Sequence, residues 1–550
     1  MYMKTNKTIA FLALLMASIT SFSQERGFFR IYPFEGCSSP IPLPLMMTAI
    51  EAQDGDAIVA INNMQGGPSE PWGRLFRLSA DGELTNSVPF GDGNSYHSIF
   101  NLFRHPQEPD TYIGAGQNYT LYQTTPYNIY QSAPYFVHFD NDLDISLQQL
   151  AEWPEAYQYA NSASNARYTL SYDGKVFGVF GFELPSDTVI HYRHRLYALM
   201  SLEGDFEHVN EDTTSYNEFG AVGGTEAVFE FPGSWQKGVL HETLKLVQGD
   251  HYQNVHGLYR LNKNLEETII NDYFCIYSDT IVNNYQRESY SLTLTEPVST
   301  PVLPLDDTTF LFSTRGDELL NRFINDTNYL LYDHAPVLFK TNMEGDIWQL
   351  SILGRMNDTL ESTPYTSVAL TEPDVNGHRN IYHCCYSRDE YYMELPNLIT
   401  VTKLTDDFDV LWRKTYSQTD TYLEPYRLIA TADGGCLVVG LVSAGDLPYN
   451  ATYNWFALKL EPDGTVGTNN ITVTNELSFY PNPTKDMLHL TIPTNIKPTN
   501  IEFYDLQGRL VRTQSKVLES ISLQGLSAGT YTMRVVLEDG KVFSDKLVKE

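Results

Sequence analysis

The sequence predicts an all-β protein: a seven-bladed β-propeller followed by a small C-terminal Ig-like β-sandwich. Three observations carry that prediction. A strand–turn–strand segment recurs about every 60 residues through most of the chain. The composition favours strands, with 37 tyrosines and 13% aromatic residues. The text changes character after Gly467. At 550 residues the chain is too long for one ordinary core, so several domains or a repeat array are expected.

The chain opens on a targeting segment. Lys4 and Lys7 form a positive stretch, and Ile9 to Ile19 is an apolar run of signal-peptide length. Ser21 and Ser23 are small residues at the spacing a signal peptidase accepts, so residues 1–23 are expected to be removed. No later run approaches the ~18 apolar residues of a membrane-spanning helix.

Residues 24–467 carry the repeat. Its turns fall at Gly82, Asp142, Gly204, Asn264, Gly345, Asp407 and Gly464, in steps of 60, 62, 60, 81, 62 and 57 residues. Gly, Asn and Asp at these positions suit the positive φ of a two-residue hairpin. The flanks alternate: Phe456, Leu458 and Leu460 point one way, Ala457 and Lys459 the other. A second turn stands about 30 residues earlier in each unit, most plainly at Asp433-Gly434. Two hairpins per unit make four strands, the size of a propeller blade. Radial stacking buries the faces of such sheets and leaves only short outer edges. Separate β-sandwiches are the rival arrangement, but they need linkers that the text does not show. The seventh unit lacks a strand after Val466. The run 27–36 (GFFRIYPFEG) has no partner of its own, so it is expected to complete the last blade. The long step contains an insertion from Cys275 to Leu294, where function is best sought.

Residues 468–477 are polar and unpatterned, and are expected to be a linker. Residues 478–550 are short alternating strands broken by Pro, Asn and Gly, which suits a small sandwich. This tail closely resembles the type A C-terminal sorting domain of type IX secretion cargo in Bacteroidetes. The residues that carry the resemblance are Tyr480-Pro481-Asn482-Pro483, Tyr504-Asp505 with Gly508-Arg509, Leu526, Gly529-Thr530-Tyr531 and Lys546-Leu547-Val548, in that order. The resemblance implies a two-step route, through the periplasm and then across the outer membrane by way of the secretion machinery. It implies that the tail is then removed, and the cargo released or held at the cell surface. The stretch 410–466 also looks like the propeller units common in exported bacterial proteins, which carry no fixed activity.

Charge excludes some partners. Residues 475–550 hold nine basic and nine acidic side chains. With the two lysines of the targeting segment set aside, the region between holds 25 basic and 59 acidic residues, a net of −34. Such a surface repels nucleic-acid phosphate and anionic lipid. The five cysteines, Cys37, Cys275, Cys384, Cys385 and Cys436, do not form a compact disulfide framework. His383, Cys384 and Cys385 sit on alternate faces of a strand, a poor geometry for one metal.

No strong catalytic signature is present. Asp140, Asp142 and Asp144 have the 1-3-5 spacing of a calcium loop, but Ile145 and Ala151 replace its glycine and glutamate, so a solvated turn is expected. His241, His251 and His256 with Asp250 form the densest histidine cluster, and Trp72, Trp153 and Trp235 are candidates to stack on a ligand. The leading expectation is a non-catalytic ring that binds or displays glycan or protein, without a cofactor. The alternative is a polysaccharide- or peptide-degrading enzyme with paired carboxylates in the central funnel.

Overall fold

Among the described residues, antiparallel strands account for nearly all regular structure, with one short 3-10 turn at Glu155–Tyr157. The computed structural model describes residues 27–549 except the stretches 34–45, 63–72, 92–95, 124–128, 158–165, 183–193, 213–224, 232–235, 249–250, 274–280, 283–284, 287–290, 294–301, 325–326, 354–360, 363–367, 388–397, 419–420, 445–451, 468–471, 476–477, 481–483, 492–496, 506–507, 516–519 and 539–541. Residues 1–23, the expected targeting segment, therefore lie outside the described residues, as do Cys37 and Cys275.

Among the described residues before Ser478, seven sheets of four or more strands follow one another. The first is Met46–Glu51, Ala57–Asn62, Gly73–Leu78 and Leu84–Phe90. The second is Tyr96–Arg104, Thr111–Gln123, Ile129–Asp140 and Ile145–Leu150. The third is Arg167–Leu170, Val176–Phe182, His194–Met200 and Phe206–Asp212. The fourth is Thr225–Glu230, Lys237–Gln248, His251–Leu261 and Glu267–Tyr273. The fifth is built on Phe310–Ile324, Thr327–Thr341 and Ile347–Ile352, and the sixth on Asn380–Ser387, Ile399–Thr405 and Val410–Ser417, each with two short strands on its first edge. The seventh is Thr421–Ala430, Cys436–Ala444 and Thr452–Leu460. Within the 275–294 insertion, Ile281–Val282 pairs with Tyr285–Gln286 as a small hairpin.

The faces pair in a closed cycle. Ile58 and Leu75 of the first sheet pack with Tyr112 and Val137 of the second. Ile113 and Phe136 pack with Tyr168 and Phe180 of the third, and Phe177 and Tyr197 with Val239 of the fourth. Phe229 and Leu258 pack with Phe310 and Phe339 of the fifth, and Leu311 and Leu338 with Ile381 and Leu404 of the sixth. Tyr382 and Val401 pack with Val438 and Phe456 of the seventh. The seventh returns to the first, where Val439 and Trp455 meet Met47, Val59 and Phe76.

Phe28–Pro33 closes the last sheet, as the unpaired run near the N-terminus predicts. It lies antiparallel to Thr452–Leu460, with Phe28 opposite Lys459 and Pro33 opposite Asn454. Tyr32 stacks on Trp455 at 4.2 Å between ring centroids, and the Tyr32 hydroxyl donates to the Gly82 carbonyl at 2.7 Å.

The recurring hairpin departs from the expected two-residue form. In every unit the fourth turn residue donates to the first carbonyl, as Gly82 N–H does to Ser79 at 2.8 Å and Leu143 N–H to Asp140 at 3.0 Å. That fourth residue carries the positive φ, and the pairing register shifts beside the turn, which is the bulged three-residue form. The positive-φ residues are Gly82, Leu143, Gly204, Leu265, Gly345, Phe408 and Gly464. In three units they lie one residue after Asp142, Asn264 and Asp407, the polar residues to which sequence alone points.

Packing explains the non-glycine residues. Leu143, Leu265 and Phe408 are buried in the core between their own sheet and the preceding one. Where the turn has glycine, an aromatic ring of the preceding sheet fills that space: Phe28 at Gly82, Phe136 at Gly204, Trp412 at Gly464. These six turns thus supply the plug or receive it. The strain of a left-handed leucine, about 1–3 kcal/mol, is offset by burial worth about 1.5–3 kcal/mol. Leu143→Ala keeps that backbone strain and leaves a cavity, so we expect a loss of about 2–4 kcal/mol in urea unfolding of the full chain.

After the ring, Thr472–Asn475 pairs with Val410–Ser417 of the sixth sheet. Part of the expected linker is therefore a strand. Val473 and its neighbours satisfy an edge that would otherwise present unpaired backbone groups. Residues from Ser478 onward form two facing sheets. One is Ser478–Tyr480, Met487–Thr491 and Ser520–Ser522; the other is Leu510–Gln514, Pro498–Tyr504, Gly529–Leu537 and Val542–Lys549, in that order. Leu488, Ile501, Phe503, Ile521, Met533 and Leu547 fill the space between them.

Candidate functional site

An Arg, Lys or His occupies one repeat position near the end of the third strand of six sheets: Arg77, His138, Arg260, Lys340, Lys403 and Lys459. In four of them it reaches the second residue of the next sheet's turn. Arg77 donates to the Asn141 carbonyl, His138 Nε2 lies 2.9 Å from that of Leu202, Arg260 donates to Met343 at 2.7 Å, and Lys403 to Pro462 at 3.0 Å. These contacts staple neighbouring sheets. Lys459 instead bonds Asp433 of its own sheet at 2.7 Å.

Lys340 is different. Its side chain is 4% exposed, and Nζ stands 4.0 Å from Asp407 Oδ1, beyond hydrogen-bond distance. It lies over the Trp348 and Phe408 rings, each 4.8 Å away. Gln349 donates to the carbonyl of Asp407, the third residue of that turn, at 2.7 Å, as Asn86 does to Asp142. Lys340 faces a cleft of about 180 Å³ between the fifth and sixth sheets, which Trp348, Arg379, Asp306, Asp406 and Asp407 also line. Trp348 is 56% exposed, which is unusual for so large an apolar side chain.

Electrostatics in the cleft follow from these neighbours. Burial holds Lys340 below the usual lysine range, and the carboxylates of Asp407, Asp406 and Asp306 oppose that shift. Burial pushes Asp306 up, but hydrogen bonds from Thr308 and Thr309 outweigh it, and its carboxyl lies below the usual range. At the rim, His378 Nδ1 lies 2.8 Å from Asp406 Oδ2. That hydrogen bond, with the Asp406 charge, raises the imidazole above 6.5. The pairing is therefore complete below pH 6.5 and is lost as pH rises through the folded value. An NMR titration should show His378 above its usual range, and Asp406→Asn should return it there.

The residues singled out in the sequence lie elsewhere. Asp140 Oδ1 accepts the N–H groups of Asp142 and Asp144, each at 2.9 Å. Asn262 and Asn342 fill the same role in their own turns, so this task needs no charge. Asp142 lies 3.9 Å from Arg77. Among the described residues no group of three or more His, Cys, Asp and Glu side chains stands ready for a metal. Cys384, Cys385 and Cys436 are buried. Burial, with Arg413 nearby, pushes the enclosed His383 imidazole down to about 3. Trp153 is a core residue that donates to the Ser132 carbonyl at 2.6 Å. Asp250, Trp72 and Trp235 lie outside the described residues, and His241, His251 and His256 are described by strand register alone. Sequence reasoning missed Trp348. Its one signal is repeat position: it matches Thr85 and Leu411, exposed residues on the fourth strand.

In the tail, Tyr480 ends its first strand, and Pro481, Asn482 and Pro483 lie outside the described residues. Gly508 has a φ of 73° in the turn that Asp505 closes, and the Arg509 side chain bonds Asp505 at 2.7 Å. Gly529 pairs with Lys549 and Thr532 with Lys546, while Tyr531 is buried and donates to the Ser527 carbonyl at 2.7 Å. Thr484 N–H donates to the Val548 carbonyl at 2.9 Å, which ties the start of the domain to its last strand. The family described as "Secretion system C-terminal sorting domain" matches residues 478–550. Residues 478–550 are a secretion system C-terminal sorting domain. The chain that carries this sorting domain is type IX secretion cargo. No helix of the described residues is long and apolar enough to cross a membrane.

No curated protein matches the chain. Among solved structures it is similar to a Penicillium chrysogenum alpha-L-arabinanase complexed with arabinobiose, at 10% identity and a TM-score of 0.37 over 79% of this chain and 97% of that one. It is similar to the Bacillus halodurans xylan beta-1,4-xylosidase, at 8% identity and a TM-score of 0.31 over 79% and 98%. It is also similar to Drosophila semaphorin 2a, at 9% identity and a TM-score of 0.37 over 95% and 99%. Likeness of this degree assigns no chemistry to the chain.

Proposed function

We propose that this cargo is a non-catalytic binding ring, delivered to the cell surface or the medium of a Bacteroidetes cell, and that the cleft between the fifth and sixth sheets engages a surface or environmental glycan. One observation carries the reading: an exposed tryptophan face stands beside a buried amine that has no hydrogen-bonded partner among the described residues. Aromatic faces with a few placed polar groups are the usual means of holding an apolar-faced, hydroxylated ligand. The signal peptide expected at residues 1–23 supplies the first export step.

The test is a glycan array probed with the purified full chain, run beside a hydrolysis assay on the same panel. Binding without turnover is expected. Release of reducing ends from a bound glycan would replace this reading with the enzymatic one, and a blank array would remove glycan as the ligand.

A further inference from the structure

We propose that the Lys340–Trp348 cleft takes a single neutral pyranose ring: Trp348 stacks on its apolar face, Lys340 and Arg379 donate to its oxygens, and Asp406 and Asp407 accept from its hydroxyls. This deepens the binding reading above and rests on it.

The internal repeat supplies the first argument. Arg77, His138, Arg260 and Lys403 each meet a carbonyl of the next sheet's turn. Lys340 occupies the same position and meets none, and the nearest carboxylate oxygen is 4.0 Å away. Its ammonium therefore faces the cleft with donors available. A buried charge in that state is costly until an oxygen reaches it. A ligand hydroxyl or ring oxygen supplies that acceptor.

The second argument is the mixture of groups. Donors and acceptors stand together in the cleft. A hydroxyl both donates and accepts, so a polyol satisfies both sets. A phosphate or carboxylate has nothing to donate to three aspartates. An ammonium has nothing to accept from Lys340 and Arg379. The chain's net charge of −32 further repels anions.

The third argument is size. The cleft of about 180 Å³ lies below the ~300–1,000 Å³ usual for sites that enclose a drug-sized ligand, so it receives one ring and leaves the rest of a chain outside. The ligand is then a terminal or protruding residue of a glycan.

The experiment uses the full chain, titrated calorimetrically with the methyl glycosides of glucose, galactose, mannose and xylose, and with glucuronic acid and glucosamine. We expect saturable binding of at least one neutral glycoside, at least tenfold tighter than either charged sugar. Trp348→Ala changes an exposed residue, so it should weaken binding at least tenfold with the thermal midpoint unchanged. Lys340→Met should weaken it similarly. Lys403→Met, which breaks a staple, should lower the midpoint and leave affinity as it was. Tighter binding of a charged sugar, or affinity unmoved by Trp348→Ala, overturns the proposal. If the chain binds glycans on the array and Trp348→Ala binds them equally, this cleft is wrong and the binding ring stands. If the array is blank, the binding reading falls with it.

Discussion

A chain cut after residue 477 is expected to stop in the periplasm, while the full chain reaches the outside of the cell. The sorting domain has its own two sheets and its own core, built on Ile501, Phe503, Met533 and Leu547. It is neutral, with nine basic and nine acidic side chains in 475–550, whereas the ring is strongly acidic. Cutting there keeps Thr472–Asn475 on the edge of the sixth sheet, so the ring loses no strand. The measurement is fractionation of a host with type IX machinery, with both forms followed by antibody. Nearly all of the truncated form should be periplasmic. Equal surface delivery of the two forms would contradict the sorting role.

Losing the closing strand is expected to be nearly as severe for stability. Phe28, Phe29 and Tyr32 are buried from that strand, and Tyr32 stacks on Trp455. Truncating one buried aromatic to alanine costs about 3–5 kcal/mol. Deleting Gly27–Pro33 removes three and bares the backbone edge of Thr452–Leu460 as well. Total stabilities are about 5–15 kcal/mol, so we expect the deletion to unfold the ring at 37 °C or to cut its urea midpoint by more than half. Limited proteolysis should then cleave between 421 and 460. An unfolding free energy within about 1 kcal/mol of the intact chain's would mean that the ring closes by other contacts.

Much of this architecture is legible in the residues because it is periodic. Alternation in FALKLEPDGTV and its relatives marks strands, and a 60-residue step marks sheets. The unpaired run at 27–36 could be placed because the seventh unit visibly lacks a strand. The turn chemistry was less legible. Polar Asp142, Asn264 and Asp407 attract the positive φ by local preference, yet Leu143, Leu265 and Phe408 take it, because each buries its side chain against the preceding sheet. Thr472–Asn475 shows no pattern of its own, and an open edge 60 residues earlier in the chain recruits it. The cleft was not legible at all. Lys340, Trp348, Arg379 and Asp406 come from two sheets, and no local motif joins them. What sets Lys340 apart is a bond it lacks, and that shows only beside the bonds its counterparts make.

Hydrogen exchange on the full chain tests the closed ring most directly. Phe28–Pro33 is the edge strand of its sheet, so alternate amides along it bond to Thr452–Leu460, and those amides should exchange as slowly as the ones of Asn454–Lys459. Exchange of the first set at open-chain rates, with the second protected, would show that the strand at the N-terminus does not close the ring.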